Sequence, residues 1–217
     1  MASYLVKKAV GPVDISAEWD SPVWKNAVTQ KLEYVFDRSS EHHPDTEIRM
    51  VYDDKGIYGL FQVKDQYVRA VQQADQGSVC TDSCVEFFVH PAGDERYFNF
   101  EMNCGGVLLL YHVRDCRSGD YDVIPQEDLD SVKRFHTLPK IVDPEIQEPV
   151  VWRLGFAIPL SFFEKYSGIN PKLSGQVWHA NFTKCADKTS HPHWLSWLKL
   201  SRLDFHLPEE FGELVFE

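Results

Sequence analysis

Long apolar segments are missing from this 217-residue chain. Its longest apolar runs, such as GVLLLY at 106–111, fall far short of the roughly 20 residues that a transmembrane helix needs. The opening MASYLVKKAV has no apolar stretch of the length that a secretory signal requires. We therefore expect no membrane span and no signal peptide in this sequence. It would be cytoplasmic as it stands, and periplasmic or extracellular if a signal had been removed.

Basic residues are also scarce relative to acidic ones. Lys and Arg number 22 against 33 Asp and Glu, which gives a formal net charge of -11. A charge of this sign repels the phosphate backbone instead of releasing its counterions, and it also repels an anionic membrane surface. We expect neither nucleic acid nor a membrane as a partner.

Cysteine occurs only five times, at positions 80, 84, 104, 116 and 185. The count is odd and no short spacing repeats, which argues against a full disulfide framework and leaves a single bridge open. We expect most of these thiols to be buried.

Short alternating runs of apolar and polar residues are abundant, and Asp, Gly, Pro and Asn clusters separate them. This period of two predicts a strand-rich chain. One hairpin is predicted across DDKG, because Asp and Gly tolerate the backbone angles of a tight turn. The predicted strands lie within 46–65, 84–90, 97–103, 106–113, 150–159, 176–185 and 212–217.

Helical signals are few, and the segments 16–27 and 159–166 could each form only a turn or two. Many short strands with little helix indicate an all-β fold, with two antiparallel sheets packed face to face as a β-sandwich. We predict one domain over residues 1–217, with short peripheral helices. The segment from about 114 to 149 does not alternate cleanly, and we expect a long excursion at one edge there, with room for a short hairpin.

Alternation also predicts which side chains share a face. In 84–90, Val85, Phe87 and Val89 lie opposite Glu86, Phe88 and His90, and in 177–184 Lys184 falls on the side of Trp178, Ala180 and Phe182. If the strands share one sheet, a polar row lines its outer surface. Solvated polar faces are common on antiparallel sheets, but amide and carboxyl groups beside exposed aromatics also suit a sugar. The row comprises Glu86, Asn99, Glu101, Asn103 and Asn181.

Several motifs together resemble the family 9 carbohydrate-binding modules, which belong to the DOMON-like β-sandwiches. Their order and spacing carry the likeness over nearly the whole chain, although no single motif is diagnostic. It implies a jelly-roll-like sandwich that binds glycans, often at their reducing ends, without catalytic activity, in bacterial polysaccharide catabolism such as that of xylan. The motifs are WDSPVWKNA (19–27), VYDDKGIYGLFQVKD (51–65), DSCVEFF (82–88), YFNFEMN (97–103), ANFTKC (180–185) and SW with DFHLPEEFGELVF (196–216).

The resemblance implies a sugar clamped between two aromatic rings. Glu86 falls on the family's ligand-binding Glu, and Phe205 on the second clamp Trp. The first clamp Trp falls at or near Cys80, which cannot stack. A family Arg that contacts hydroxyls falls on Glu101, and a family Asn near Arg202. With these departures, the chain resembles the divergent, single-domain subgroup of the family. The missing ring of the clamp could come from Trp194, Trp197, Tyr67 or Tyr111.

Our leading hypothesis is a non-catalytic protein that binds a mono- or oligosaccharide, with separately encoded glycoside hydrolases as possible partners. We expect polar contacts from Glu86, Asn103, Asn181 and Lys184 and stacking from Phe205 and Trp197, with Glu101 and Arg202 at the remaining family positions. The main alternative is a glycoside hydrolase or an accessory subunit of one, because Asp82, Glu86 and Glu101 could supply the two acids that such an enzyme needs.

A heme or metal protein is a further alternative. Some DOMON relatives bind heme through Met and His, but Met102 falls on the predicted core face. His191 and His193 form a His-x-His pair with Cys185, His179 and His206 not far away in sequence, and we favour loop histidines over zinc there. We expect no cofactor, with structural calcium open at the acidic stretch 119–130.

Overall fold

The computed structural model describes residues 2–217. The strands are Ser3–Lys8 (β1), Thr29–Lys31 (β2), Tyr34–Val35 (β3), Asp45–Tyr52 (β4), Gly56–Asp65 (β5), Val68–Ala70 (β6), Cys84–His90 (β7), Tyr97–Asn103 (β8), Leu108–Leu109 (β9), Tyr111–Asp115 (β10), Asp120–Val123 (β11), Lys133–His136 (β12), Val142–Ile146 (β13), Val150–Pro159 (β14), Val177–Cys185 (β15), Trp194–Ser196 (β16) and Gly212–Phe216 (β17). The helices are Pro22–Lys25 (α1), Gln126–Leu129 (α2) and Leu160–Ser167 (α3), with 3-10 turns at Val79–Thr81 and Pro208–Glu210.

Two large sheets form the layers of the fold and share strand β1. One sheet has the order β11-β10-β8-β7-β15-β17-β1, and the other runs β1-β4-β5-β14-β12. The first four residues of β1 pair with β17 and its last two residues pair with β4, both in parallel. The remaining pairs among residues 2–217 are antiparallel. The prediction of an all-β sandwich with short helices is confirmed, and β1 adds a parallel connection between its layers.

The predicted hairpins form as the alternation indicated. β4 and β5 pair along their length around Asp53, whose carboxylate accepts hydrogen bonds from the backbone N–H groups of Lys55 (2.8 Å) and Gly56 (2.9 Å). This side chain fixes the tight turn by holding its amides. β7 and β8 form the second predicted pair.

The segment from 114 to 149 is more than an excursion at one edge. It contributes β11 to the edge of the first sheet, next to β10, and β12 to the edge of the second sheet, next to β14. β13 forms a separate small pair with β6. The segment therefore links one edge of the sandwich to the other, which its irregular sequence pattern did not reveal. The boundary of a single domain at 1–217 stays a prediction.

The core lies between the two sheets and is rich in aromatic rings. Phe87 stacks within 6.0 Å of Phe100, Phe156 and Phe182, which come from both layers. Trp152 and Trp178 are fully buried in the same core. Among residues 2–217, no helix has the length and apolar character needed to cross a membrane.

Candidate functional site

A pocket of about 210 Å³ lies on the outer face of the first sheet. Strands β7, β8 and β15 supply its floor, and the segments around β16 and residues 203–206 supply its walls. Its lining residues are Cys80, Glu86, Phe88, Glu101, Cys185, Asp187, Trp194, Leu203, Asp204, Phe205 and His206.

The alternation of β7 and β8 explains why two carboxylates reach this pocket. The intervening residues, such as Phe87 and Phe100, enter the core between the sheets, so Glu86 and Glu101 must point outwards. The register makes Glu86 the direct partner of Glu101 on one side and of Thr183 on the other. Two acids therefore face each other across one strand pair.

Glu86 is only 2% exposed, although it lines the pocket. Its Oε2 accepts a hydrogen bond from the Thr183 hydroxyl, and its Oε1 accepts one from the Cys185 thiol at 3.0 Å. Burial raises the pKa of Glu86 to about 7, against the opposing effect of these two donors. The carboxyl group is thus poised to hold or release a proton near neutral pH.

Glu101 has fewer partners. Its Oε1 accepts a hydrogen bond from Asn99 Nδ2 at 2.8 Å, while Oε2 accepts none from residues 2–217. Burial, and then the nearby Glu86, raise the pKa of Glu101 well above its ordinary value. His206 Nε2 lies 3.9 Å from Oε1, and burial lowers the pKa of this imidazole, so it is neutral at pH 7 and gives little compensation.

Aromatic side chains form the walls. Phe205 is half-buried and lies 5.8 Å from Phe36 and 6.3 Å from Phe88, measured between ring centroids. Trp194 lines the same pocket, and its indole Nε1 donates a hydrogen bond to Asp187 Oδ1 at 2.8 Å, which holds the ring in place. Cys80 also lines the pocket. It stands at or near the position where the family resemblance places the first clamp Trp, so one aromatic ring of the clamp is missing there.

Of the four aromatic residues that could replace that ring, the structure brings only Trp194 to the pocket. Trp197 is 5.4 Å from Phe182 in the core, measured between ring centroids. Tyr67 stacks on His191 at 3.6 Å, and Tyr111 stacks on Tyr121 at 4.6 Å. These positions follow from the path of loops that the local sequence does not specify.

Five of the eight predicted site residues do not line the pocket. Trp197 packs in the core, Asn103, Asn181 and Lys184 have buried partners inside the protein, and Arg202 lines an adjoining groove. Asn103 donates to Asp82 Oδ2 (2.9 Å) and accepts from the backbone N–H of Val107 (2.9 Å), which stabilises the turn after β8. Asn181 Nδ2 donates to the Ser196 hydroxyl at 2.9 Å, which ties β15 to β16.

Lys184 corrects the prediction most clearly. It is fully buried, because the alternation of β15 places it on the core side with Phe182. Its ammonium donates to His193 Nε2 at 2.7 Å and lies 3.8 Å from Asp65 Oδ2. Burial would raise the pKa of Asp65, but Lys184 and His42 outweigh it and hold the pKa at about 2. This is an internal ion pair that contributes no atom to the pocket lining.

Arg202 lies next to the pocket but outside it. It lines an adjoining groove of about 360 Å³, formed by residues 34–38 and 199–203, which shares Leu203 with the pocket. Its Nε is 3.5 Å from Asp204 Oδ2. The structure therefore brings Glu86, Glu101 and Phe205 together and places Arg202 at the margin.

Sequence reasoning did not select Asp187 and Asp204. Asp204 precedes Phe205 directly, so the motif DFH was the available signal. Asp187 follows β15 in a loop and has no such signal.

One group of possible metal ligands occurs among residues 2–217: Cys84, Glu86 and Cys185 lie within 4.8 Å of one another. Burial raises the pKa of Cys84 to about 12, so its thiol carries a proton at neutral pH. A metal ion there would have to displace protons from both thiols. The five cysteines are all free.

The residues that the sequence suggested for a metal or heme site do not lie together. His193 bonds to Lys184, whereas His206 lies at the pocket, where its Nδ1 is 2.8 Å from the Tyr97 hydroxyl. Met102 is fully buried in the core. In the acidic stretch 119–130, side chains pair with protein cations, such as Asp128 with Lys165. Calcium there stays a prediction.

Known proteins share the sequence pattern and the fold of this chain. The sequence model of carbohydrate-binding family 9 matches residues 22–216. A Bacteroides uniformis protein proposed to bind carbohydrate is 36% identical, with 99% of each chain covered and a TM-score of 0.85. No curated protein sequence matches significantly.

Two family 9 modules from Caldicellulosiruptor kristjanssonii share the fold. One, in complex with cellotriose, is 14% identical, with a TM-score of 0.68 and coverage of 100% of this chain and 94% of that one. The other, in complex with glucose, is 12% identical, with a TM-score of 0.65 and coverage of 100% and 96%. From the match over nearly its whole length, the chain belongs to carbohydrate-binding family 9.

Proposed function

We propose that the pocket binds one sugar residue, at or near a chain end, between Trp194 and Phe205 and above Glu86 and Glu101. The observation that carries this proposal is that two aromatic walls and two carboxylates converge on one small pocket in a member of a carbohydrate-binding family. Its volume of about 210 Å³ is below the ~300–1,000 Å³ of pockets for drug-sized ligands, which favours a single ring.

The chemistry of these side chains suits a pyranose. Axial C–H groups leave apolar patches on the ring, and a flat aromatic side chain can cover such a patch. Hydroxyl groups at the ring edge both donate and accept hydrogen bonds, so carboxyl groups beside the rings can orient the sugar. The complexes with cellotriose and glucose in the C. kristjanssonii modules support glucose-type units as first candidates.

Titration calorimetry with glucose, xylose and their β-linked oligosaccharides tests the proposal. We expect saturable binding that weakens about tenfold, or ~1.4 kcal/mol, in Phe205→Ala and in Trp194→Ala, since each removes one wall. Tyr58→Ala, a half-buried ring on the other sheet, is the matched control and should bind as the wild type does. Unchanged affinity in both pocket variants would contradict the proposal.

The same sugars reduced to alditols test the reducing-end prediction. Loss of binding on reduction would place the reducing sugar in the pocket, whereas retained binding would place an internal or non-reducing unit there. A reducing-end site would suit a partnership with separately encoded glycoside hydrolases, because each cleavage creates a new reducing end.

Hydrolysis of O-glycosyl bonds is the second candidate function. Glu86 and Glu101 face each other, and burial raises the pKa of Glu86 to about 7, as a general acid requires. Release of reducing sugar from xylan or cello-oligosaccharides that is abolished by Glu86→Gln would favour it. Binding of these sugars without any release of reducing sugar would contradict hydrolysis and support the binding function alone.

A further inference from the structure

The pocket is strongly acidic, and this feature narrows the sugar class. Four carboxylates line it, from Glu86, Glu101, Asp187 and Asp204, and no Lys or Arg does. Arg117 pairs with Asp204, and Arg202 lies within 3.5 Å of it, so this carboxylate has local counter-charges. The other three lack such a partner among residues 2–217.

Glu101 has one carboxyl oxygen without a donor among residues 2–217. Its side chain is 9% exposed, and its Oε2 accepts no hydrogen bond from the protein while the side chain lines the pocket. Glu86 lies directly opposite on the neighbouring strand. Like charges in such a cross-strand pair repel each other, and the free Oε2 can accept a hydrogen bond from a ligand in the pocket. A cationic donor in the pocket would reduce the repulsion between the two glutamates and would donate a hydrogen bond to Glu101 Oε2.

No Lys or Arg side chain of residues 2–217 lines the pocket, although the charge of Lys184 acts from the core side to lower the pKa of Glu86 and of Asp187. The Lys184 ammonium itself is fully buried on the core side and lies beside Asp65, so it cannot contact a ligand in the pocket. Trp194 Nε1 already bonds to Asp187 and the Thr183 hydroxyl already bonds to Glu86, so neither group is free to donate to a ligand.

Building on the proposed sugar site, we propose that its preferred ligand is an amino sugar with a free ammonium group. An ammonium carries three donors and no acceptor, which complements carboxylates that only accept when ionised. The rings of Trp194 and Phe205 add favourable cation–π contacts to the stacking of the sugar ring. Charge-assisted hydrogen bonds to the two glutamates would then provide most of the selectivity.

Calorimetry at pH 7 and low salt tests this inference with glucose, N-acetylglucosamine, and the 2-amino-, 3-amino- and 6-amino-deoxy forms of glucose. We expect at least one amino sugar to bind tenfold or more tightly than glucose. Salt should weaken its binding but not that of glucose. Because the ammonium favours ionised carboxylates, its binding should also release protons, measured as a dependence of the heat on the buffer.

The outcomes separate the two proposals. Equal or weaker binding of every amino sugar, with glucose still bound, overturns the ammonium preference and leaves the sugar site intact. An absence of binding by all five sugars overturns both. Glu101→Gln should reduce the preference to below about threefold, whereas Glu95→Gln, an exposed acid paired with Arg114 outside the pocket, should retain it. If Glu101→Gln fails to fold, the salt dependence of the wild type decides the question.

Discussion

At the scale of single residues, the site depends on two glutamates that the fold buries side by side. Glu86 has two donors from β15, whereas Glu101 has one amide donor and a free oxygen. Each carboxyl group is harder to ionise because of burial, and that of Glu101 also because of Glu86. The unliganded pocket therefore retains protons that exposed carboxylates would have lost.

These protons predict a pH dependence of stability. The folded pKa of Glu86, about 7, lies above its ordinary value of 4.5, so its contribution to stability is complete below about pH 4.5 and is lost as the pH rises through about 7. Glu86→Gln should therefore gain stability relative to the wild type as the pH rises through this range. Glu101→Gln should change in the same direction.

Urea denaturation at steps from pH 4.5 to 8 measures this effect. The quantity to compare is the difference between variant and wild type, because burial lowers the pKa of His193 to about 2 and this group acts in the opposite direction. Glu95→Gln, which removes an exposed acid outside the pocket, is the matched control. A constant difference for both pocket variants would show that neither carboxyl group has a raised pKa.

The predicted site residues on the outer face differ in whether they remain open to the pocket. Alternation placed Glu86 and Glu101 on the outer face, and the structure confirms that direction. Asn103 and Asn181 lie on the same face, but neighbouring turns and β16 cover them and take their hydrogen bonds. The turns and strands that pack over a polar row determine which of its residues stay open to solvent. The alternation of residues along one strand contains no information about these neighbours.

At the scale of secondary structure elements, strand β1 connects the two sheets. The sequence analysis did not predict this strand. It joins β17 near the C-terminus to β4 of the other sheet. Its Tyr4 hydroxyl donates to the backbone C=O of Val28 at 2.6 Å and accepts from the backbone N–H of Met50 at 2.8 Å. One side chain thereby connects β1 to β4 and to the segment before β2.

Tyr4→Phe should destabilise the fold by about 1–3 kcal/mol, because it leaves a buried backbone donor unpaired without changing the size of the ring. The free energy of unfolding in urea measures the loss. Tyr34→Phe is the matched control, because this hydroxyl is on a residue 46% exposed and has no hydrogen bond in the described structure, so its change should stay within 0.5 kcal/mol. Equal stability of the two variants would contradict this role.

At the scale of the whole molecule, the two sheets share one core. Trp152 on β14 and Trp178 on β15 belong to different sheets, yet both are buried in the same cluster. Since β1 also pairs with both sheets, neither sheet can separate without exposing the core. This arrangement favours one cooperative unfolding unit.

We therefore expect coincident urea transitions from tryptophan fluorescence and far-UV circular dichroism. Trp152→Phe and Trp178→Phe variants remove one reporter from each sheet in turn, and their fluorescence midpoints should each agree with the midpoint of their own circular dichroism. Two separated transitions in either variant would show that the sheets unfold independently.

The sequence by itself determined the local features of this protein. Alternation defined most strands, the hairpin around Asp53 and the faces of β7 and β8, because side chains of a strand point to opposite sides in strict order. The acidic net charge of -11 was equally evident. The resemblance to carbohydrate-binding family 9 rested on motifs spread along the chain, and the family match confirms it.

Only the tertiary structure decided which residues meet. Trp194 reaches the pocket that Cys80 lines, Asp187 joins it from a loop, and Lys184 pairs with Asp65 in the interior. These contacts join segments far apart in sequence, and they depend on strand register and loop paths. Both are set by the packing of the whole sandwich, so no local pattern of residues can encode them.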